Sequence, residues 1–290
     1  MYAAIAARAL NCRAAVVSAI GRDFRFTSCF EGLDSTCVKA YDMPTTRFLI
    51  RYNQQWEAKY VEVNPGVGAR IRSSLIPSRF LRPHGLIHLS PMKPTKVARI
   101  AHKVRQRSPQ AEVSVSTWMG YVEEPRYRRI LNRLASEVDF FMLNEFEAKA
   151  LAQTSSLSLA LQRIKAKRLV VTMGKLGAII SGSDVEPQMV PALSVPTNKV
   201  VDTTGAGDTW NGAFLAAYKT TGNLMKSVAA ASIISSIKCS GWGFEPLLEL
   251  TFKKPSDVVE YVLALKEGWM QKKLTEFVTY RKGKRRTETA

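Results

Sequence analysis

The sequence predicts an α/β fold in which a mostly parallel central sheet carries helices on both faces. Short, continuously apolar segments alternate along the chain with longer segments whose apolar residues recur at helical spacing. Strands that are apolar throughout are typical of parallel sheets buried on both faces. Their alternation with helices indicates successive strand–helix units. We therefore predict one domain over residues 1–290, without repeats or low-complexity linkers.

The predicted strands are short apolar runs, and the predicted helices are amphipathic or rich in small residues. The strands are Ala14–Ile20, Gly85–Leu89, Glu112–Ser116, Phe140–Leu143, Leu169–Thr172 and Ala178–Ser181. The helices are Ala3–Leu10, Thr95–Arg105, Pro125–Ser136, Phe146–Ala152, Ser156–Lys165, Thr209–Thr220, Leu224–Lys238 and Pro255–Lys273. Residues 34–64 differ, because strands at Thr46–Tyr52 and Ala58–Val63 flank a polar turn. This segment is predicted to be a small β insertion.

The composition is that of a globular protein without a membrane span. Apolar residues make up 46% of the 290-residue chain, which is ordinary for a globular protein. The four cysteines are scattered without a C-x-x-C pair, so neither a zinc site nor a disulfide framework is predicted. No run reaches the roughly 18 apolar residues of a membrane span. We expect a soluble, cytoplasmic protein that does not bind membranes.

Residues 202–208, Asp-Thr-Thr-Gly-Ala-Gly-Asp, carry the strongest functional signal. A glycine turn that leads into a helix directs backbone N–H groups and the positive end of the helix dipole at an anion. Such donors can stabilise charge on a transferring phosphoryl group. Asp208 follows where it could take a proton from an attacking hydroxyl. A bare turn with a capping aspartate is the alternative interpretation of this segment.

Two upstream motifs favour the functional interpretation. An apolar run ends at Asn144, and Glu147 follows three residues later, a pattern that also fits a capping box. Thr172, Gly174 and Gly177 form a glycine turn after a buried strand. With residues 202–208, these motifs resemble the ribokinase-like carbohydrate kinases, also called the PfkB family. The resemblance runs from about residue 3 to about residue 265.

The resemblance implies ATP-dependent transfer of a phosphoryl group to a hydroxymethyl group of a small sugar or nucleoside. Asp208 would be the base, and Gly205, Ala206 and Gly207 would supply N–H groups to the phosphoryl. Asn144 and Glu147 would position Mg²⁺, Glu147 through water where needed. The nucleotide would be lined by Thr172, Gly174, Gly177 and Gly241. Asp202 and Thr204 match positions where many relatives hold a monovalent cation such as K⁺.

The resemblance also implies that residues 34–64 form a lid over the acceptor, through which relatives often form homodimers. Relatives carry a strand, a sugar-gripping aspartate and a Gly-Gly turn before the helix at Ala3–Leu10, and none of these is in the sequence given. We therefore expect that the first strand is missing. A nucleotide-binding remnant without an acceptor site is accordingly one alternative function.

The charge supports a second alternative, a basic nucleic-acid-binding protein. The formal net charge is +18, and residues 271–290 hold seven Lys or Arg against two Glu. Such a charge attracts nucleotides, sugar phosphates or nucleic acid. No basic motif interleaved with aromatic residues supports a nucleic-acid interface. The segment 281–290 is predicted to be a disordered basic tail, because it has few apolar groups to bury.

Overall fold

The computed structural model describes residues 1–54, 58–192, 200–248, 250–252, 257–258 and 278–280. These residues fall into two compact units. Unit 1 contains residues 1–14, 28–33 and the described residues from 200 onward, and unit 2 contains residues 15–27 and 34–192. Most of the helix predicted at 255–273, and the tail predicted at 281–290, lie outside the described residues.

Twelve strands are present in the described part of the chain. They are β1 Ala15–Gly21, β2 Asp34–Tyr41, β3 Arg47–Tyr52, β4 Ala58–Asn64, β5 Leu86–Leu89, β6 Glu112–Ser116, β7 Phe140–Asn144, β8 Leu169–Thr172, β9 Ala178–Gly182, β10 Val185–Val190, β11 Leu250–Phe252 and β12 Val278–Tyr280. The first ten lie in unit 2. Every strand predicted from the sequence is confirmed to within one or two residues at each end.

Nine α-helices are present over the same described ranges. They are α1 Tyr2–Ala9, α2 Pro94–Arg107, α3 Met119–Val122, α4 Pro125–Glu137, α5 Glu145–Leu151, α6 Leu157–Arg163, α7 Ala206–Thr221, α8 Leu224–Cys239 and α9 Glu245–Leu248. The seven predicted helices before residue 240 are confirmed. The start predicted for α7, Thr209, is wrong by three residues, because the glycine-containing segment from Ala206 is itself helical.

The central sheet of unit 2 has six strands in the order β10-β9-β8-β7-β6-β5. Strands β5 to β8 are parallel, and β9 and β10 are added antiparallel at one edge. The interior strands are buried, as their continuous apolar character predicts. A core of apolar side chains from β6, β7 and β8 packs against α2, α4 and α5. The prediction of a mostly parallel sheet with helices is confirmed.

The segment 34–64 divides into two different structures. Strands β3 and β4 form the predicted antiparallel hairpin, and every residue of β4 is exposed. Strand β2 instead pairs in parallel with β1, from Asp34 opposite Ala15 to Tyr41 opposite Gly21. The sequence does not reveal β2, because Cys37 is its only buried residue and no clean alternation results.

Unit 1 is built on three helices, since α1 and α8 both pack along α7. The approach of α1 is close: a Cβ atom on Gly212 of α7 would lie 2.1 Å from the carbonyl oxygen of Ala3. Strands β11 and β12 pair antiparallel in the same unit. This packing fixes α7, whose first turn carries the glycine motif.

Two further expectations concern cysteines and membranes. Cys12, Cys29, Cys37 and Cys239 are all free thiols. Across the described ranges, no cluster of three or more His, Cys, Asp or Glu side chains could hold a metal ion. None of the helices in the described part is both long and apolar enough to span a bilayer.

A buried carboxylate joins the beginnings of β6 and β7. Asp139 is 4% exposed, accepts a 2.7 Å hydrogen bond from the Val113 N–H, and pairs with Arg105 and Lys167. Burial alone would raise the pKa of Asp139, but these hydrogen bonds and charges outweigh it and hold the pKa below its usual value. The carboxylate is therefore ionised in the folded protein at neutral pH.

Replacing this carboxylate should destabilise unit 2. Asp139→Ala leaves the buried Val113 N–H without its acceptor, which costs about 1–3 kcal/mol of unfolding free energy. Because the folded pKa is depressed, the wild-type advantage is present above the unfolded pKa and is lost as pH falls through the folded pKa. Urea unfolding at several pH values measures this, with Glu137→Ala, an exposed ion-pair partner of Arg133, as control. Equal losses in both variants would contradict the role given to Asp139.

Candidate active site

The loop before α7 turns sharply at Gly205. Gly205 is the N-cap of α7 with φ of 76°, and a Cβ atom there would lie 2.3 Å from the ring of Tyr2. Both the left-handed conformation and the space therefore require glycine. The N–H of Ala206 bonds to the carbonyl of Thr203 at 3.0 Å. The N–H groups of Gly207 and Asp208 accordingly point to the open end of the helix, where the helix dipole favours an anion.

Asp208 lies in the first turn of α7, two residues after its first residue. Its carboxyl is half-buried, and burial raises its pKa above the usual value. The helix dipole and the positive amino terminus favour the carboxylate, but desolvation is the larger effect. A carboxylate with a raised pKa is a stronger proton acceptor than an exposed one, which suits a general base.

Asn144 and Glu147 form a complete capping box at the junction of β7 and α5. The Asn144 Oδ1 accepts from the Glu147 N–H at 2.9 Å, and the Glu147 Oε2 accepts from the Asn144 N–H at 3.0 Å. The capping interpretation is thus confirmed. It fixes a buried carboxylate and an amide at the carboxyl edge of the sheet, where ligands of α/β proteins bind.

Thr172 ends β8 directly beside Asn144, since the two residues are paired across β7 and β8. The glycine turn follows at Gly174–Gly177. Gly177 has φ of 112°, and a Cβ atom there would lie 2.1 Å from the carbonyl oxygen of Val190. The fold therefore requires this glycine for the β9–β10 edge. At Gly174 a Cβ atom would meet nothing within 4 Å.

The structure brings together the predicted residues of each motif within its own unit. Asn144, Glu147 and Thr172 share one edge of the sheet in unit 2. In unit 1, Asp202 begins the loop that leads into α7, and its Oδ1 accepts a hydrogen bond from the Thr204 N–H at 2.8 Å. Gly241 packs against the Pro246 ring, 2.7 Å from a hypothetical Cβ atom. Its small size therefore also has a packing reason.

Sequence reasoning missed Lys238, the buried partner of Asp202. Its side chain is 0% exposed, and its Nζ lies 2.8 Å from the Asp202 Oδ2. In the sequence, a lysine in the last turn of a helix is typical of an exposed cation near the helix C-terminus. The sequence signal that could have indicated a buried lysine is its position among the small and apolar residues of α8.

A chain of aromatic rings connects the hairpin to the carboxyl end of β6. Trp118 follows β6, and its ring lies edge-on 5.1 Å from Tyr60 of β4 and 5.3 Å from Tyr121. The Trp118 Nε1 is buried and has no hydrogen-bond partner among the described residues. Buried indole N–H groups usually find a partner, so this donor suits a ligand.

His88 lies nearby in the sheet, on β5. Its Nδ1 is 3.2 Å from the Ser114 Oγ, and its Nε2 is 3.4 Å from the Ser116 Oγ. Burial lowers the pKa of His88 to about 4, so the ring is neutral at physiological pH. Hydrogen bonding to both serines makes it a structural residue of the strand edge.

Similarity to known proteins agrees with this geometry. Residues 3–245 match the profile of the pfkB family carbohydrate kinases. The chain belongs to that family. A cytidine kinase of Thermococcus kodakarensis is 27% identical over 223 residues, which cover 74% of this chain and 77% of that protein. A ribokinase of Lactococcus lactis is 36% identical over 106 residues, 37% of this chain and 34% of that protein.

A solved structure shows the same fold. The Burkholderia thailandensis nucleoside kinase in complex with inosine superposes with a TM-score of 0.73 at 18% identity, over 91% of this chain and 86% of that one. The predicted ribokinase-like fold is therefore confirmed. This pfkB kinase is a sugar or nucleoside kinase, a transferase with an alcohol group as acceptor.

Two glycine substitutions should separate ligand-imposed from fold-imposed glycine in this pfkB kinase. Gly207→Ala adds a methyl group that meets no protein atom within 4 Å, so it should leave the melting temperature unchanged and reduce phosphoryl transfer. Gly177→Ala should lower the unfolding free energy by about 1–3 kcal/mol, because of backbone strain and the contact with Val190.

Thermal melts and steady-state rates of both variants measure this contrast. An active Gly207→Ala enzyme would mean that no ligand approaches the backbone there. A fully stable Gly177→Ala enzyme would contradict the structural role of Gly177.

Proposed function

We propose that this protein transfers the γ-phosphoryl group of ATP to a hydroxymethyl group of a sugar or nucleoside, with Asp208 as general base. The observation that carries the proposal is the first turn of α7. It combines open N–H donors at Gly207 and Asp208 with a carboxyl group whose pKa is raised by burial. Phosphoryl transfer depends mainly on positioning and on charge stabilisation, and this turn supports both.

Each residue of the turn has a defined part in the proposal. The Asp208 carboxylate accepts the proton of the substrate hydroxyl as the new P–O bond forms and the bond to ADP breaks. The open N–H groups of Gly207 and Asp208 stabilise the charge on the transferring phosphoryl. The Ala206 N–H, also predicted as a donor, is instead bonded to the Thr203 carbonyl. Gly205 sets the turn, and Gly207 leaves open space beside the backbone, where a Cβ atom would meet nothing within 4 Å. The side chain of Ala206 is a single methyl group, which leaves room for the phosphoryl group.

We assign nucleotide and Mg²⁺ binding to the carboxyl edge of the sheet. Amide and carboxylate oxygens suit Mg²⁺, and Asn144 and Glu147 fix one of each. Because the capping box already engages one oxygen of each residue, they would hold Mg²⁺ through its waters. The bound metal would neutralise charge on the phosphates. Thr172, Gly174 and Gly177 are proposed to line the nucleotide.

The aromatic chain around Trp118 is proposed to contribute to the acceptor site. Aromatic rings, and an indole donor without a partner among the described residues, suit a flat, polar ring such as a nucleobase. The similarity to a cytidine kinase also favours a nucleoside as the acceptor.

The hairpin of β3 and β4 exposes apolar side chains, with Phe48 at 52% and Leu49 at 50%. This supports a homodimer through the hairpin, which the molar mass in solution tests.

Replacing Asp208 tests the base directly. Asp208→Asn should lower kcat by about 10²–10⁴ and should remove the acid limb of the rate profile, which lies above the usual aspartate pKa. The raised folded pKa means that ionisation costs stability as pH rises through it. The variant should therefore melt at or above the wild-type temperature at neutral pH.

The matched control is Asp42→Asn, whose carboxylate is exposed and pairs with the likewise exposed Arg22. It should change neither the rate nor the melting temperature. An Asp208→Asn enzyme with undiminished kcat would overturn the assignment of the base.

A further inference from the structure

Lys238 carries a fully buried positive charge. Its Nζ donates to the Asp202 Oδ2 at 2.8 Å and to the Asp202 carbonyl oxygen at 2.7 Å. It also lies 5.5 Å from the centroid of the Tyr2 ring, whose face attracts cations. A buried ammonium is costly unless it is paired and hydrogen-bonded, so these contacts define its position closely.

The same aspartate was predicted, with Thr204, to bind a monovalent cation. Its oxygens are already engaged by donors of unit 1. Oδ1 accepts from the Thr204 N–H at 2.8 Å, and Oδ2 accepts from Lys238 and from the Gly243 N–H at 3.3 Å. A second cation on Asp202 would be repelled by the Lys238 ammonium at short range. These residues therefore do not fit a bound monovalent cation.

We propose that the Lys238 ammonium replaces the monovalent cation of related kinases, so that this enzyme works without K⁺. The inference rests on the proposed function only where it predicts the rate of turnover. Burial alone would raise the pKa of Asp202, but the hydrogen bonds from Lys238 and Thr204 outweigh it and hold the pKa below its usual value. The Asp202 carboxylate is thus ionised at neutral pH beside the Lys238 Nζ.

The geometry also shows how Lys238 acts on the site. Ser235, one turn earlier on α8, donates to the Ala206 carbonyl at 2.9 Å. Lys238 and Ser235 therefore hold the two ends of the loop that runs from Asp202 to Ala206. This loop determines where α7 begins and where its open N–H groups point. Lys238 is accordingly a positioning residue, separate from the base at Asp208.

The first test uses the unmodified protein. Melting temperature without substrates, and turnover with Mg²⁺-ATP, are measured in KCl and in tetramethylammonium chloride at equal ionic strength. A cation that binds the folded state raises the melting temperature, whereas the large tetramethylammonium ion cannot enter a cation site. We expect no difference between the salts in either measurement. A higher melting temperature or faster turnover in K⁺ overturns the proposal.

The second test removes the ammonium. Lys238→Ala should melt lower and turn over more slowly in tetramethylammonium chloride, and K⁺ should restore part of both losses by entering the vacated space. Lys238→Met fills that space without charge, so K⁺ should not restore it. The control Lys226→Ala, at an exposed position of the same helix, should behave as wild type.

The outcomes separate this proposal from the proposed function. A protein without turnover whose Lys238→Ala variant still melts higher in K⁺ would uphold the replacement of the cation and contradict the kinase assignment. A Lys238→Ala variant with wild-type rate and no response to K⁺ would overturn the role of Lys238. If this variant does not fold in either salt, the comparison of salts on the unmodified protein decides.

Discussion

The conformation of the loop before α7 is the constraint on which the proposed chemistry depends. The loop must turn at Gly205, where Tyr2 leaves no room for a side chain. It must also leave the N–H groups of Gly207 and Asp208 open, while the Ala206 N–H bonds internally to the Thr203 carbonyl. Open donors at a helix start stabilise an anion only if their direction is fixed before the ligand arrives. The contacts from α8 to Asp202 and Ala206 supply that rigidity within unit 1.

Desolvation acts in opposite ways on the two aspartates of this loop. Asp202 is paired with a buried ammonium, so its carboxylate is stabilised despite burial. No cation in the described part of the chain forms an ion pair with Asp208, and burial raises its pKa. One carboxylate is therefore held as a permanent structural charge, and the other is suited to accept a proton. Two groups six residues apart thus take different roles because of their environments.

Much of the fold could be predicted because its strands are uniformly apolar and its motifs are locally encoded. The capping box of Asn144 and Glu147 follows from residue type and spacing alone, and the structure contains it. Strand β2 could not be predicted, because its parallel pairing with β1 depends on distant residues and leaves most of its side chains exposed. The start of α7 was misplaced because glycine disfavours helix interiors but is tolerated in a first turn.

The site shows the same division between local and distant information. The sequence points to Asp208 and to the glycines around it, since these adjoin each other in the chain. It does not show which glycines the fold needs, and Gly177 and Gly207 differ only in what surrounds them in space. Lys238 could not be connected with Asp202 from the sequence, because 36 residues separate the two partners. The burial of the Trp118 indole N–H, away from any partner in the described ranges, depends likewise on tertiary packing.

The most direct test of the kinase assignment is detection of the phosphorylated acceptor itself. The purified protein is incubated with Mg²⁺-ATP and a panel of nucleosides, pentoses and hexoses, and phosphorus NMR identifies any new phosphomonoester. We predict ADP together with one phosphate ester on a hydroxymethyl carbon, formed by the wild-type chain and not by Asp208→Asn. ATP binding without any ester across the panel would contradict the account.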